Sequence, residues 1–483
     1  MWHSAMMKLF LSATILLTVE GTHMYSGGLR VSGHVLPNNP LGVIWNSPTF
    51  ICQEKYGVSL DLSSFDIVVN RNGSFRGDQV LILYESQLGY YPKYMNDGTP
   101  KFGGLPQLGN LSLHLQKVVE DIMTLIPNPS FDGLAVIDWE AWEPLYDRNG
   151  YSPIRKIYQQ MSEELVRAQH PDWNKTRVIE KARREFEKAA RQYMLKTLQL
   201  VRELRPQGHW GYYGFPRCNN YAPGQSRCKD IIMKDNDKLK WLFKASSVIV
   251  PSIYTSESPM SSSERYALIQ GILSEALRVK THFSNPEILV LAYTRYRYRD
   301  TLNFYDKTDL ENSITQAFDS GCGGLVMWDS SQSFQNRDAC LQLRQYLIST
   351  LGPFIKNITS FARTCSLDNC QGHGRCMSKF WRKTLDDLKA ENVRQNVNDL
   401  IETVDDPLPI GRFNMAFKKK MFVRDNANVF PVTRYSGSAE KNLAKTGAVL
   451  WKDISRPSQN FTFKNYKCHC FFGWFGKHCE HRG

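Results

Sequence analysis

Two acidic side chains, Asp138 and Glu140, follow a short apolar run at residues 134–137. Such runs, rich in branched residues, are typical of buried strands in parallel sheets. Side chains alternate along a strand, so both acids should point to one side, with their Cα atoms about 7 Å apart. A carboxyl that keeps its proton because its neighbour is charged can perform acid–base chemistry. The same acids could instead cap the helix that follows.

Apolar, strand-like runs recur along the chain and alternate with helical patterns. The clearest helical pattern lies at residues 180–204, where apolar residues recur at spacings of three and four. Alternation of this kind favours a parallel (β/α) barrel, of either seven or eight strands, with catalytic residues at the carboxyl ends of the strands. The predicted strands lie at 41–45, 80–84, 134–138, 209–213, 248–254, 288–293 and 324–328.

The amino terminus predicts entry into the secretory pathway. Residues 1–21 combine Lys8 with an apolar stretch and a small-residue cleavage site, which is typical of a signal peptide. The carboxyl terminus has no apolar tail, so neither a membrane span nor a lipid anchor is expected. We therefore predict a secreted or lysosomal glycoprotein. The asparagines of the N-glycosylation sequons are Asn72, Asn110, Asn174, Asn357 and Asn460.

The net charge of the 483-residue chain is +13 at pH 7. In a secreted protein this charge favours attraction to an anionic polymer, although it could equally serve solubility or adhesion to cell surfaces. The signal peptide and the cysteines argue against a nucleic-acid-binding protein. No metal-ligand cluster or phosphate-binding loop stands out, so we expect no cofactor. The sequence does not indicate an oligomeric state.

Cysteines dominate the carboxyl-terminal part of the chain. After residue 355 the strand–helix alternation stops, and Gly-x-Cys and Cys-x-Cys spacings resemble an epidermal-growth-factor-like (EGF-like) module with an insert at about 377–467. A zinc site is the alternative, although thiolates are normally oxidised outside the cell. Cys322, the odd one among 11 cysteines, is predicted to be a buried free thiol. The module's cysteines are Cys365, Cys370, Cys376, Cys468, Cys470 and Cys479.

The sequence Val-Ile-Asp-Trp-Glu-Ala-Trp at 136–142, followed by Pro144 and by Arg148-Asn149, resembles the signature of animal hyaluronidases, glycoside hydrolase family 56. The resemblance covers roughly residues 38–480. It implies a TIM-like barrel at 22–355 and the EGF-like module at 356–483. It also implies five disulfides, Cys52–Cys340, Cys218–Cys228, Cys365–Cys376, Cys370–Cys468 and Cys470–Cys479.

The resemblance assigns roles to the acids and to several strand-end aromatics. Glu140 would be the general acid and then the base, and Asp138 would orient the substrate's acetamido group, whose oxygen acts as the nucleophile with retention of configuration. Tyr213 would contact the reacting sugar. A single aromatic residue at a strand end more often packs in the core, but a set matching one family favours a sugar groove. The other groove residues would be Tyr84, Tyr254 and Trp328.

Three positions depart from the family pattern. Glu143 replaces an arginine, Gly150 replaces a tryptophan, and Ile272 stands where a substrate-facing arginine precedes Glu-Ala-x-Arg. Both the lost cation and the gained acid would weaken binding of a polyanion. Three further arginines follow a predicted strand and could face uronate carboxylates or lie in a solvated loop: Arg295, Arg297 and Arg299.

Two function classes therefore follow from the sequence. The first is an endo-β-N-acetylhexosaminidase acting on the β-1,4 bonds of hyaluronan, and possibly of chondroitin. The second is a glycosaminoglycan-binding or cell-contact protein with little turnover, which Glu143 and Ile272 favour and the intact acid pair opposes. A chitinase-like enzyme acting on neutral polymers would explain the missing arginine but not the basic charge.

Overall fold

The computed structural model describes residues 38–218, 225–283, 288–388, 390 and 463–483. The predicted signal peptide, most of the predicted insert and Asn460 lie outside these residues. The strands are β1 (Gly42–Asn46), β2 (Val80–Tyr84), β3 (Lys93–Tyr94), β4 (Pro100–Lys101), β5 (Leu134–Asp138), β6 (His209–Tyr212), β7 (Val248–Ile249), β8 (Leu289–Thr294), β9 (Gly324–Trp328), β10 (Gly374–Ser378), β11 (Tyr466–Cys470), β12 (Trp474–Phe475) and β13 (His481–Arg482).

Helices separate most of the parallel strands. No helix of the described residues is long and apolar enough to cross a membrane. The α-helices are α1 (Phe50–Tyr56), α2 (Leu111–Leu125), α3 (Tyr146–Asn149), α4 (Lys156–Gln169), α5 (Lys175–Leu204), α6 (Asp230–Lys238), α7 (Lys240–Ala245), α8 (Ser262–Phe283), α9 (Lys307–Leu310), α10 (Gln316–Asp319), α11 (Arg337–Tyr346) and α12 (Gly352–Cys370).

Seven parallel strands of the described chain form the barrel wall, and all seven predicted strands are present. One sheet has the order β1-β9-β8-β7 and the other β2-β5-β6. The two sheets meet where Tyr213 pairs in parallel with Val250, and the Gly214 N–H donates to the Val250 carbonyl at 2.9 Å. Glycine at 211 permits this approach, because a Cβ there would lie 2.4 Å from the Val248 carbonyl oxygen.

The strands divide their side chains between two apolar cores. Val136 on β5 packs in a cluster inside the barrel, whereas Ala135 and Ile137 pack outward against the helices. This alternation follows from the pleat of the strand. It places Asp138, at the end of β5, on the same side as Val136. The inner cluster consists of Ile44, Val80, Ile82, Leu134, Val136, Val248, Val250, Leu289, Leu291, Tyr293 and Val326.

Side-chain caps fix the starts of the outer helices. Helix α5 begins five residues before the predicted pattern, because the Asn174 side chain accepts a hydrogen bond from the Arg177 N–H at 3.0 Å. Asn110 caps α2 in the same way through the Leu113 N–H. Both asparagines belong to sequons and use their side-chain oxygens, which leaves the amide nitrogens for glycans. The sequon asparagines of the described residues, namely Asn72, Asn110, Asn174 and Asn357, are all exposed.

Disulfides connect helix α1 to helix α11, link two positions that follow β6, and cross-link the carboxyl-terminal segment. Cys322 is free and buried, and burial raises the pKa of its thiol to about 11. Helix α12 runs across the position where strand–helix alternation ends and delivers two cysteines to the disulfide-rich segment. The disulfides of the described residues are Cys52–Cys340, Cys218–Cys228, Cys365–Cys376, Cys370–Cys468 and Cys470–Cys479.

The disulfide-rich segment packs against the barrel through aromatic rings and a partly buried hydrogen bond. Tyr466 on β11 lies 5.6 Å from the rings of both Phe318 and Phe361. Its hydroxyl donates to the Asp319 carboxylate at 2.9 Å. Burial raises the pKa of Asp319 to about 7, although the bond from Tyr466 opposes this rise. The contact is therefore sensitive to pH.

We expect Asp319 to make the folded protein less stable as the pH rises from about 4 to about 7. A raised carboxyl pKa means that the folded state binds the proton more tightly than the unfolded state, so its stabilising effect is lost over this range. Asp319→Asn should flatten the corresponding part of a plot of Tm against pH. The exposed Asp172 provides a matched control, Asp172→Asn. Equal pH slopes for Asp319→Asn and the wild type would contradict this assignment.

Candidate active site

A cavity of about 450 Å³ opens at the carboxyl ends of the barrel strands. Asp138 and Glu140, the two acids singled out from the sequence, both line it, as do the four aromatics proposed for a sugar groove. The described residues that line the cavity are Ile82, Tyr84, Glu85, Ser86, Lys93, Asp138, Glu140, Tyr213, Tyr254, Tyr293 and Trp328.

The two acids differ sharply in exposure. Asp138 ends β5 in register with Tyr84 and is only 8% exposed, whereas Glu140 is exposed to the cavity. Desolvation raises the pKa of Asp138 to about 8; Glu140 adds to this rise and Arg217 opposes it. One Asp138 carboxyl oxygen is buried and has no hydrogen-bond partner among the described residues. The pair therefore retains a proton at neutral pH, as an acid–base catalyst requires.

The backbone of Glu140 is held from both sides. Its N–H donates to the Glu85 carboxylate at 3.0 Å, and its carbonyl accepts from the Arg155 guanidinium at 3.1 and 2.9 Å. Between the acids, Trp139 points outward and packs 4.6 Å from Tyr91, measured between ring centroids. Because the buried tryptophan fixes the strand and the polar clamp fixes the turn, the Glu140 side chain is directed into the cavity.

Glu143 does not face the cavity. Its carboxylate pairs with Arg155 and Arg217, each at 3.1 Å, and is only 10% exposed. The acid that replaces the family arginine therefore neutralises two arginines behind the active site. We interpret it as part of the support for Glu140. The acid that was expected to weaken binding of a polyanion is therefore paired with arginines and does not line the cavity.

Helix α8 extends this support. Ile272, at the position where the family pattern has an arginine, is buried and apolar. One turn later Glu275 accepts a hydrogen bond from Asn236 at 2.7 Å, and Asn236 also binds the backbone of Arg217. Arg278 pairs with Glu275 at 2.7 Å. A continuous polar network therefore runs from α8 to Arg217.

Aromatic residues line the cavity together with the acids. The rings of Tyr254 and Trp328 stack with centroids 6.0 Å apart, and the Trp328 indole donates to the Tyr84 hydroxyl at 3.1 Å. The Tyr213 hydroxyl donates to Ser252 at 3.1 Å, and burial raises the pKa of Tyr213 to about 12. Stacked, hydrogen-bonded rings of this kind suit the apolar faces and the hydroxyls of a sugar.

The arginines that follow β8 do not line the cavity. Arg295 and Arg297 are both 7% exposed and pair with Asp329, which is 1% exposed. Arg295 also lies 5.7 Å from the Trp328 ring centroid. Arg295 and Arg297 therefore neither face the cavity, where a uronate would bind, nor lie in a solvated loop. The third, Arg299, is exposed and donates to Ser256 at 2.8 Å.

Sequence reasoning missed several cavity residues. Tyr293 ends the predicted sixth strand, so its strand-end position could have identified it. Its hydroxyl donates to Asn46 at 3.2 Å. Glu85 directly follows β2 and could have been found in the same way. Lys93 lies on β3, nine residues beyond the end of β2, and no sequence pattern marks it.

We expect Glu143→Gln to lower both stability and turnover. The change leaves two partly buried guanidinium groups without an anion, which should cost about 1–3 kcal/mol and loosen the Arg155 clamp on Glu140. Glu143→Arg should be worse, although it restores the residue typical of the family, because three guanidinium groups would then meet. Thermal unfolding and kcat test this, with the exposed-residue variant Asp172→Asn as control. A Glu143→Arg protein more active than the wild type would contradict the role.

Comparison with known proteins agrees with this geometry. Residues 31–406 match the family model described as hyaluronidase. Human hyaluronidase-1 is 42% identical over 72% of this chain and 80% of its own length, and a Crotalus adamanteus hyaluronidase is 32% identical over 95% and 94%. Bee venom hyaluronidase, solved with a hyaluronic acid tetramer, matches with a TM-score of 0.61 and 37% identity over 65% of this chain and 98% of that one. The chain belongs to the hyaluronidase family of glycoside hydrolases.

Proposed function

We propose that this protein is an endo-β-N-acetylhexosaminidase that hydrolyses the β-1,4 bonds of hyaluronan. The observation that carries the proposal is the acid pair Asp138–Glu140 at the end of β5, inside an aromatic cavity at the carboxyl ends of the barrel strands. The names of the relatives and the hyaluronic acid tetramer bound by the bee enzyme support the choice of polymer. The predicted signal peptide would deliver the enzyme to the lysosome or the cell exterior.

The proposed mechanism uses the substrate's own acetamido oxygen as nucleophile. That oxygen attacks the anomeric carbon while Glu140 gives its proton to the departing glycosidic oxygen. Water then attacks the same carbon from the vacated side and gives a proton to Glu140, while the bond from that carbon to the acetamido oxygen breaks and the acetamido group is restored, so the configuration is retained. Glu140 suits this role because it is exposed to the cavity while its backbone is held by Glu85 and Arg155.

Asp138 would orient the acetamido group and stabilise the cation formed from it. Ionised Asp138 is disfavoured in the free protein because it is buried beside another acid. A positive charge that develops on the acetamido nitrogen during the reaction attracts the Asp138 carboxylate and so makes its ionised form favourable. The proton of the pair then resides on Glu140, where the leaving oxygen needs it. The interaction is therefore stronger in the transition state than in the ground state, which is what accelerates the reaction.

The aromatic residues would hold the reacting sugar against the acids. Tyr213 lies beside Tyr254 and would contact the sugar and its acetamido group, while Tyr84 and Trp328 would line the adjoining groove. Hyaluronan and chondroitin carry the same N-acetylhexosamine–uronate alternation, and none of these contacts distinguishes the two. We therefore propose chondroitin as a second substrate.

Glu140→Gln should abolish fragment release, with kcat lowered by a factor of about 10³ or more, because the leaving oxygen loses its proton donor. The assay digests hyaluronan and chondroitin with each protein and identifies the products. The wild type should release even-numbered oligosaccharides with N-acetylhexosamine at the new reducing end. No release from either polymer, with wild type and Glu140→Gln both still retained on immobilised hyaluronan, would instead identify a binding protein.

The pKa of Asp138 predicts the alkaline limit of activity. The productive form of the acid pair carries one proton, which the free protein loses as the pH rises through about 8. We therefore expect kcat/KM to fall above about pH 8. Asp138→Asn should lower kcat by a factor of about 10² and change the fall in kcat/KM above pH 8, because the carboxyl whose raised pKa sets that fall is then absent. If kcat/KM of Asp138→Asn fell over the same alkaline pH range as in the wild type, the proposal of a shared proton would be refuted.

A further inference from the structure

The cavity has more acidic than basic side chains, which is unexpected for a site that binds a polyanionic substrate. Three acids line it, Glu85, Asp138 and Glu140. Lys93 is the only base among the cavity-lining residues of the described chain. Carboxylate or sulfate groups entering this cavity would meet net repulsion unless a cation receives them.

Four neighbouring arginines do not line the cavity, and their charges are already paired with acids. Arg155 and Arg217 pair with Glu143, and Arg295 and Arg297 pair with Asp329. Removing a partner from such a pair leaves an uncompensated buried charge, which is strongly unfavourable. Ile272, on α8, offers no charge at all. Among the cavity-lining residues of the described chain, only Lys93 therefore offers a positive charge to an acidic group.

The surroundings of Lys93 place its ammonium beside the proposed general acid. Lys93 pairs with one oxygen of Glu85, and the other oxygen of Glu85 accepts the Glu140 backbone N–H at 3.0 Å. The Lys93 side chain is 23% exposed, so a ligand can reach it. An ammonium group has three donors, and the Glu85 contact leaves two for a ligand. Glu85 thus holds a cation within the cavity that contains Glu140.

We propose that Lys93 is the anion-binding residue of this groove and receives a carboxylate or sulfate ester of the sugar adjoining the cleaved bond. The proposal rests on the hydrolase function proposed above and adds to it the residue that recognises the acidic sugar. Lys93 lies on the β3–β4 ribbon and not on a barrel strand. The charge that selects an acidic polymer is therefore separate from the strand ends that perform the chemistry.

The test compares Lys93→Gln with Lys101→Gln. Lys101 faces Lys93 in the β3–β4 register but does not line the cavity, so its variant makes the same charge change on the same ribbon. Lys93→Gln should raise KM about tenfold, as expected for one charged hydrogen bond, and lower kcat no more than about twofold, because uniform binding is lost. Lys93→Arg should restore most of the affinity. The KM of Lys93→Gln should also depend less on salt.

Parallel assays on hyaluronan, unsulfated chondroitin and chondroitin sulfates separate the two sources of negative charge. An equal rise in KM on all polymers identifies the uronate carboxylate, and a rise confined to sulfated polymers identifies the sulfate ester. Equal KM values for Lys93→Gln and Lys101→Gln on every polymer would overturn the proposal.

A binding measurement keeps this proposal distinct from the hydrolase function. In the Glu140→Gln background, the affinity for oligosaccharides of the same polymers is measured with and without Lys93→Gln. Weaker binding in the double variant supports the anion site even if the wild type releases no fragments, in which case only the hydrolase proposal fails. Unchanged binding in the double variant, with an active wild type, rejects Lys93 and leaves the hydrolase intact.

Discussion

The burial of one carboxyl group beside another is the constraint on which the rest of the site depends. Asp138 is 8% exposed at the end of a buried strand, with Glu140 two residues away. Isolated charges in such a position are very unfavourable, so the pair keeps a proton and the pKa of Asp138 rises to about 8. The apolar interior of the barrel disfavours the ionised form of Asp138. Glu140 is exposed to the cavity, so a proton on its carboxyl can reach a bound substrate.

Keeping two acids in this arrangement requires support that extends well beyond them. Glu85 and Arg155 hold the backbone of Glu140, and Glu143 holds Arg155 together with Arg217. Buried ion pairs contribute little net stability compared with apolar packing, but they are costly to break once formed. Such a network therefore fixes the geometry of the acids more than it stabilises the fold.

A second buried acid lies beside the aromatic residues of the cavity. Asp329 follows Trp328 directly and pairs with Arg295, whose guanidinium lies 5.7 Å from the indole ring. Trp328 in turn stacks with Tyr254 and donates to Tyr84. Arg295 thus lies beside an aromatic ring of the groove and pairs with Asp329, and it does not line the cavity. In the proposed function, this division leaves charge recognition to a residue outside the barrel strands and catalysis to residues at the strand ends.

The sequence by itself predicted the barrel strands and the placement of the two acids, because these features follow from local periodicity and strand alternation. The aromatic groove residues were predicted from the resemblance to hyaluronidases. The sequence could not determine that seven strands suffice, that Glu143 and the arginines after β8 pair inward, or that Glu85 and Lys93 enter the cavity. Those outcomes depend on contacts between residues far apart in the chain, such as Glu85 with Glu140 and Arg217 with Glu143. A charged side chain has the same local signature whether it faces solvent, substrate or a buried partner, and only tertiary packing decides which of these it meets.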